Sequence, residues 1–221
     1  MIKKILIAED HESANLSVQK TLEELGIADP DKVYYCDDAL LKIQKATQDG
    51  DPYDLLITDL YFDEDHTKQK LSDGKALIVA GRKVQPDLKV LVFSAEKKAA
   101  VIESLFEKHE IDGYVRKARN DARELKAAIE VIGNGQRYFP RYLRQLIGQK
   151  NAYEFQPYDI TILTLMAEGM RQKDIPAYLQ QHSIEPTGLS SVEKRLGHIR
   201  EALEFTNNQQ LIAYCKDMGI V

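Results

Sequence analysis

Tryptophan is absent, cysteine occurs twice, and aromatic residues make up only 8% of the 221-residue chain. No stretch approaches the roughly 18 to 20 apolar residues that a membrane-crossing helix needs. Met1-Ile2-Lys3-Lys4 leads straight into an apolar tetrad rather than into a signal-peptide pattern. These absences exclude a transmembrane helix and a disulfide scaffold, and a cytoplasmic protein is expected. Cys36 and Cys215 have neither metal-ligand nor redox-pair spacing, so both are expected as buried, reduced thiols. Internal repeats and low-complexity tracts are lacking as well.

What is present is a 43% hydrophobic chain, enough for real cores, with a net charge of -5 that is unevenly spread. Residues 133–152 hold Arg137, Arg141, Arg144 and Lys150 with no acid, a balance of +4, whereas residues 153–221 stand at -3 and residues 1–132 at -6. The composition change at 133 suggests two domains joined by a basic connection.

The first 132 residues alternate apolar runs with helical patterns. The runs are Ile5 to Ala8, Val33 to Tyr35, Leu55 to Thr58, Val90 to Phe93 and Tyr114 to Arg116. Between and after them come helices expected over 15–25 (Leu16, Leu22 and Leu25 in step), 38–47, 74–84, 97–109 and 121–132. Strand and helix alternating five times predict an α/β domain, a doubly wound five-stranded parallel sheet whose strands, covered on both faces, read as continuous apolar runs. Gly133-Asn134-Gly135 ends the last helix.

Each run finishes on a polar side chain: Glu9 and Asp10, Asp59, Ser94, Lys117, with Asp37-Asp38 following the second run. In an open parallel sheet the carboxyl ends of the strands border one crevice. Taken singly, an acid at a strand end caps the next helix, Ser94 caps a helix, and Tyr114 is a half-buried aromatic. Asp37-Asp38 is read in that plain way, as a cap. In combination, three carboxylates in one crevice repel unless a divalent cation neutralises them, and Mg2+ suits an all-oxygen set that includes phosphate. Asp59 is then the nucleophile, Lys117 stabilises the arriving phosphoryl group, and Ser94 donates to one of its oxygens. Tyr114 could turn toward the space that Ser94 vacates. His66 lies in a charged loop and is read as solvated rather than as a ligand.

Residues 2–132 resemble the receiver domain of two-component response regulators, a flavodoxin-like fold. Glu9-Asp10 resembles the family's metal-binding acidic pair, Asp59 its phosphoacceptor, Ser94 its hydroxyl, Tyr114 its switch aromatic and Lys117 its lysine. The resemblance implies that the backbone carbonyl of Tyr61 completes the metal's protein ligands beside Glu9, Asp10 and Asp59. It also implies a sensor histidine kinase as phosphodonor and no metabolic activity beyond self-phosphoryl transfer and slow hydrolysis. Where the family has a short loop, this chain carries Phe62 through Ser72. A haloacid-dehalogenase-like phosphatase would also use an aspartate nucleophile, but that chemistry wants a second aspartate two residues on, where Tyr61 stands.

The remainder is read as an all-α unit spanning 153–221, after a basic linker at 133–152. A helix beginning near Pro157 places Ile160, Leu163, Met166 and Ala167 on one face; a short helix over 174–181 carries Ile175, Tyr178 and Leu179, with Pro176 in its opening turn. Ser190-Ser191-Val192-Glu193 has the form of a capping box, predicting a helix in which Val192, Leu196, Ile199 and Leu203 share a stripe. Ala167-Glu168-Gly169, Gln172 to Ile175, and Ser191 to Leu203 resemble the LuxR-type helix-turn-helix of the NarL/FixJ class, and Gly135 to Pro140 resembles that class's interdomain segment. The resemblance implies double-stranded DNA as partner, a homodimer, and control of transcription by phosphorylation. Lys173, Lys194, Arg195, His198 and Arg200 are the candidate DNA contacts. Two departures stand out: a longer connection before Ser191, and Glu193 where the class commonly has a base, an acid that the capping box explains. The alternative is a phosphorylation-controlled regulator whose helical unit binds protein instead of DNA.

Overall fold

The computed structural model describes residues 2–27, 29–63, 66–140, 143 and 153–221. Contacts divide the chain into two compact units, one of Met1–Glu96 with Ile102–Pro140, the other of Lys97–Val101 with Arg141–Val221.

The first unit is the expected doubly wound sheet. Strands β1 (Ile5–Ala8), β2 (Asp31–Val33), β3 (Leu55–Thr58), β4 (Lys89–Ser94) and β5 (Gly113–Arg116) are all parallel, in the order β2-β1-β3-β4-β5. They alternate with helices α1 (Glu12–Glu24), α2 (Cys36–Gln48), α3 (Gly74–Val84), α4 (Ala99–Lys108) and α5 (Asp121–Gly133). Every residue of β1 and β3 is buried, as strands covered on both faces must be. One core joins Ile5, Ile7, Leu55, Ile57, Leu91 and Phe93 to Val18 and Leu22 of α1 and to Leu125, Ala128, Ile129 and Ile132 of α5.

Three expectations change here. The second strand lies at Asp31–Val33, two residues before the aromatic run, because Asp31 pairs with Leu6 while Tyr34 is exposed. Its carboxylate is held by the Tyr53 hydroxyl (2.8 Å) and the Lys42 ammonium (2.5 Å). The buried face of α1 is Asn15, Val18, Thr21 and Leu22, leaving Leu16 exposed. Burial of the two polar residues is tolerated because Thr21 donates to the Ser17 carbonyl (2.8 Å) and Asn15 accepts from Gln19 (3.0 Å). The compact unit also runs past residue 132 to Pro140. Tyr138 donates its N–H to the Asp112 carbonyl (2.8 Å), and Phe139 stacks on Phe106 at 4.0 Å. Of the basic linker's cations, Arg137 is exposed, while Arg141, Arg144 and Lys150 lie outside the described residues.

The second unit contains α6 (Pro157–Ala167), a 3-10 turn at Gln172–Asp174, α7 (Ile175–Gln181), α8 (Leu189–Ala202) and α9 (Asn208–Asp217). Val192, Leu196, Ile199 and Leu203 are buried as expected, and Pro176 sits in the opening turn of α7. Helix α6 is apolar nearly all round, so its pattern alone does not select a face. The structure buries Asp159, Ile162, Leu163 and Leu165 and leaves Ile160 exposed. Helix α8 begins two residues earlier than the capping box would place it. Gly188 is its N-cap, with no side-chain cap bond, so the serines and Glu193 are free of that role. Both cysteines are buried and unpaired, with burial pushing each thiol up to about 12 and nearby acids adding to the effect at Cys36. Among the described residues no helix is long and apolar enough to cross a membrane.

Candidate phosphoacceptor site

Four of the five strands end at one rim, and the parallel register sets the depth of each terminal side chain. Glu9 and Asp10 follow β1, Asp59 follows β3, Ser94 closes β4, and Lys117 follows β5. Lys117 meets two of these acids across long sequence separations: its Nζ lies 2.5 Å from Asp59 Oδ2 and 2.7 Å from Glu9 Oε2. Asp59 is buried, and its Oδ1 accepts the Leu60 N–H at 2.5 Å. Burial works against the Lys117 ammonium, but the Asp59 and Glu9 carboxylates outweigh it and hold its pKa up. Burial likewise raises the Glu9 pKa against the pull of Lys117, and the Asp59 charge reinforces the rise.

Glu9, Asp10, His11 and Asp59 each place a ligand atom within 4.8 Å of the others, a cluster that could hold a metal ion. The donor set is carboxylate-rich and carries more negative charge than one ammonium neutralises, so it fits a hard divalent cation. Ser94 Oγ is buried and has no hydrogen-bond partner among the described residues. An orphaned hydroxyl at this rim has the free donor that an incoming oxyanion requires. Tyr114 is fully buried, its hydroxyl donating to the Glu96 carbonyl (2.6 Å) and standing 3.3 Å from that of Ser94. Tyr61 is half exposed beside Asp59, with its N–H 3.4 Å from Asp59 Oδ1 and its phenol donating to the Glu96 carboxylate at 2.6 Å.

Gly74 explains how the aspartate is held. A Cβ there would stand 1.9 Å from the Asp59 carbonyl oxygen, so only glycine lets α3 start against the Asp59 backbone. Asp73 caps that helix by accepting the Ala76 N–H at 2.8 Å.

Two contributors escaped the sequence reading. His11 directly follows the acidic pair, and its Nδ1 is 2.9 Å from Asp10 Oδ1, a contact that raises its pKa. Asp37 was expected as a helix cap. It lies instead inside the first turn of α2, where its carboxylate accepts the Lys70 N–H (2.8 Å) and the Leu71 N–H (2.9 Å) of the long loop after β3. The same loop reaches the acidic pair, with the Asp63 N–H donating to Asp10 Oδ2 at 2.7 Å. His66 is exposed and outside the cluster.

In the helical unit, Lys173, Lys194 and His198 are exposed, whereas Arg200 is half-buried with its Nε buried and unpartnered among the described residues. Arg195, the fifth of the expected DNA contacts, is paired within the unit and keeps one-third of its side chain exposed. Its Nε and Nη2 grip the two oxygens of the fully buried Asp159 at 2.5 and 2.8 Å.

The fold and rim define a receiver-type doubly wound domain accompanied by a separate helical unit. Solved structures with this arrangement are similar to almost the whole chain. The two-component response regulator RcsB in complex with DNA matches with a TM-score of 0.64 at 20% identity, covering 98% of this chain and 99% of its own. An RcsB response regulator from Salmonella typhimurium matches with a TM-score of 0.61 at 20% identity, covering 96% and 97%. The isolated REC domain of RcsB from Salmonella enterica serovar Typhimurium, in the presence of the phosphomimetic BeF3-, matches at 0.55 and 22% identity, covering 66% of this chain and 98% of its own. No protein-family model and no curated protein matches the chain.

Proposed function

We propose that this chain is a phosphorylation-controlled, DNA-binding response regulator. The observation that carries the reading is the Lys117 ammonium held between the buried Asp59 and Glu9 carboxylates at the strand rim where the Ser94 hydroxyl has no partner among the described residues. In the reaction, an Asp59 oxygen attacks the phosphorus of a phosphohistidine on a sensor kinase, the phosphorus–nitrogen bond breaks, and an acyl phosphate forms. Lys117 is placed to neutralise charge on the arriving oxygens, and Ser94 to donate to one of them. Glu9, Asp10 and Asp59, with the Tyr61 carbonyl, would hold Mg2+, which supplies countercharge to the phosphoryl group. The chemistry is self-phosphoryl transfer and slow hydrolysis, with no metabolic substrate.

The output is double-stranded DNA bound by a homodimer through the helical unit. Support comes from the exposed Lys194 and His198 on α8, from Lys173 before α7, and from likeness to solved structures of RcsB in complex with DNA. The test is incubation with Mg2+ and a small phosphodonor, followed by mass, oligomeric state and duplex binding. Wild type gains one base-labile phosphoryl group and binds DNA in a salt-sensitive way, whereas Asp59→Asn gains none. An adduct that persists in the variant removes Asp59 from its role. Phosphorylation-dependent capture of a protein with no duplex binding would replace the DNA reading.

A further inference from the structure

Glu193 is the unexplained residue of the helical unit. It is exposed on α8 and makes no hydrogen bond or ion pair among the described residues. The helix begins at Leu189 with Gly188 as cap, so Glu193 is neither a capping residue nor within the first turn, where the helix dipole favours an acid. The positions that could pair with it along the helix, Leu189, Ser190, Leu196 and Gly197, offer no cation. Gly197 is equally unexplained. Glycine in a helix interior is disfavoured against alanine, yet a Cβ at 197 would meet only the end of the Arg200 side chain, at 3.9 Å. Packing within the protein therefore does not demand it. Residues 193 and 197 are one turn apart on the side of the helix opposite the buried Val192, Leu196 and Ile199, where Ser190, Glu193, Lys194 and His198 are exposed and Gly197 is half-buried.

Resting on the DNA-binding reading above, we propose that Glu193 is a specificity-determining residue that accepts a hydrogen bond from the exocyclic amine of a cytosine in the major groove, and that Gly197 lets the α8 backbone approach the groove floor. A carboxylate facing phosphates costs non-specific affinity, so its place is at a base edge that offers a donor, and cytosine N4 is the donor a carboxylate matches. Residues in the N-terminal half of a recognition helix are those that reach base edges. Omission of a Cβ one turn further on removes the atom that would hold the helix away from the bases.

The test is selection from a pool of randomised DNA duplexes by the full, phosphorylated chain, followed by titration of the selected site. Wild type is expected to enrich a cytosine at one position of each half-site. Glu193→Ala should lose that preference, with about tenfold or greater loss of discrimination there, and Glu193→Gln should shift it toward adenine. Gly197→Ala should raise the melting temperature while weakening binding to the selected site about tenfold or more. A merely structural glycine would not give that pair of effects. An unchanged base preference in Glu193→Ala, or unchanged affinity in a stabilised Gly197→Ala, overturns the proposal while leaving DNA binding intact. Failure of wild type to enrich any duplex overturns the DNA reading and this inference together.

Discussion

The two units each bury a carboxylate against a cation, and they do so to opposite effect. Asp159 is a closed arrangement: its oxygens accept from two Arg195 nitrogens, from the Tyr153 hydroxyl (3.1 Å) and from the Gln156 N–H (2.9 Å). Four donors meet one charge, and the pair holds α6 against α8. At the strand rim, three carboxylates and His11 crowd one ammonium, and a buried serine hydroxyl has no partner among the described residues. Balanced burial makes a strut; surplus negative charge with an orphaned donor leaves a place for a cation and an oxyanion. The contrast separates Arg195, whose partner is fully satisfied, from Lys117, whose partners retain surplus charge.

The comparison breaks most severely in the helical unit. Asp159→Ala leaves the guanidinium without its partner and α6 without its link to α8. Because Arg195 is one-third exposed, the loss belongs near the lower end for breaking a buried pair, about 3 kcal/mol. Urea denaturation followed by helical signal should show it, with phosphorylation of Asp59 unaffected. A loss under 1 kcal/mol would mean that the pair is only a surface contact.

Next in size is Gly74→Ala. The added methyl must displace the Asp59 backbone or the start of α3, an overpacking cost of about 2 kcal/mol. Phosphoryl uptake should fall at least about a hundredfold, since a displacement near 1 Å at a reacting group costs that much. Phosphorylation at the wild-type rate would show that backbone contact does not position the nucleophile.

What was legible follows from this division. Strand ends were visible because short apolar runs are covered on both faces, and the candidate site residues sit one step beyond them: Glu9-Asp10, Asp59, Ser94, Lys117. Local periodicity also found the buried stripe of α8. It failed where distant pairing overrides local pattern. Helix α6 is turned by the Asp159–Arg195 pair and not by its apolar stripe, Asp37 serves the loop after β3 rather than its own helix, and β2 follows the Asp31 pairing rather than the Tyr34-Tyr35 run. His11 was readable only as the neighbour of an acidic pair.

Acid should separate the units further. Burial raises the Asp159 pKa, but Arg195, the Gln156 N–H and Tyr153 overcome it and hold it below the ordinary carboxylate value. A carboxylate depressed in the folded state contributes stability above its unfolded pKa and loses it as pH falls through the folded one. The helical unit should therefore lose stability as pH drops below about 4. Asp159→Asn should flatten that slope in a melting series at falling pH; an unchanged slope would assign acid sensitivity to other groups.

The smallest effect sharpens the comparison at the rim. Asp10→Asn keeps an acceptor for the Asp63 N–H but removes one of the crowded charges. Without divalent cations it should stabilise the sheet unit by about 0.5 kcal/mol, the scale of one partly exposed charge contact. Wild type should melt higher as Mg2+ is added, and the variant should lose most of that rise because a ligand charge is gone. The His11 ring reports the same change independently, since its raised pKa is due first to the Asp10 contact and should return toward its ordinary value, as proton NMR would show. If the variant is instead destabilised without metal and keeps the full Mg2+ response, Asp10 is a structural acceptor like Asp159, and the surplus of charge at the rim is not what makes it a site.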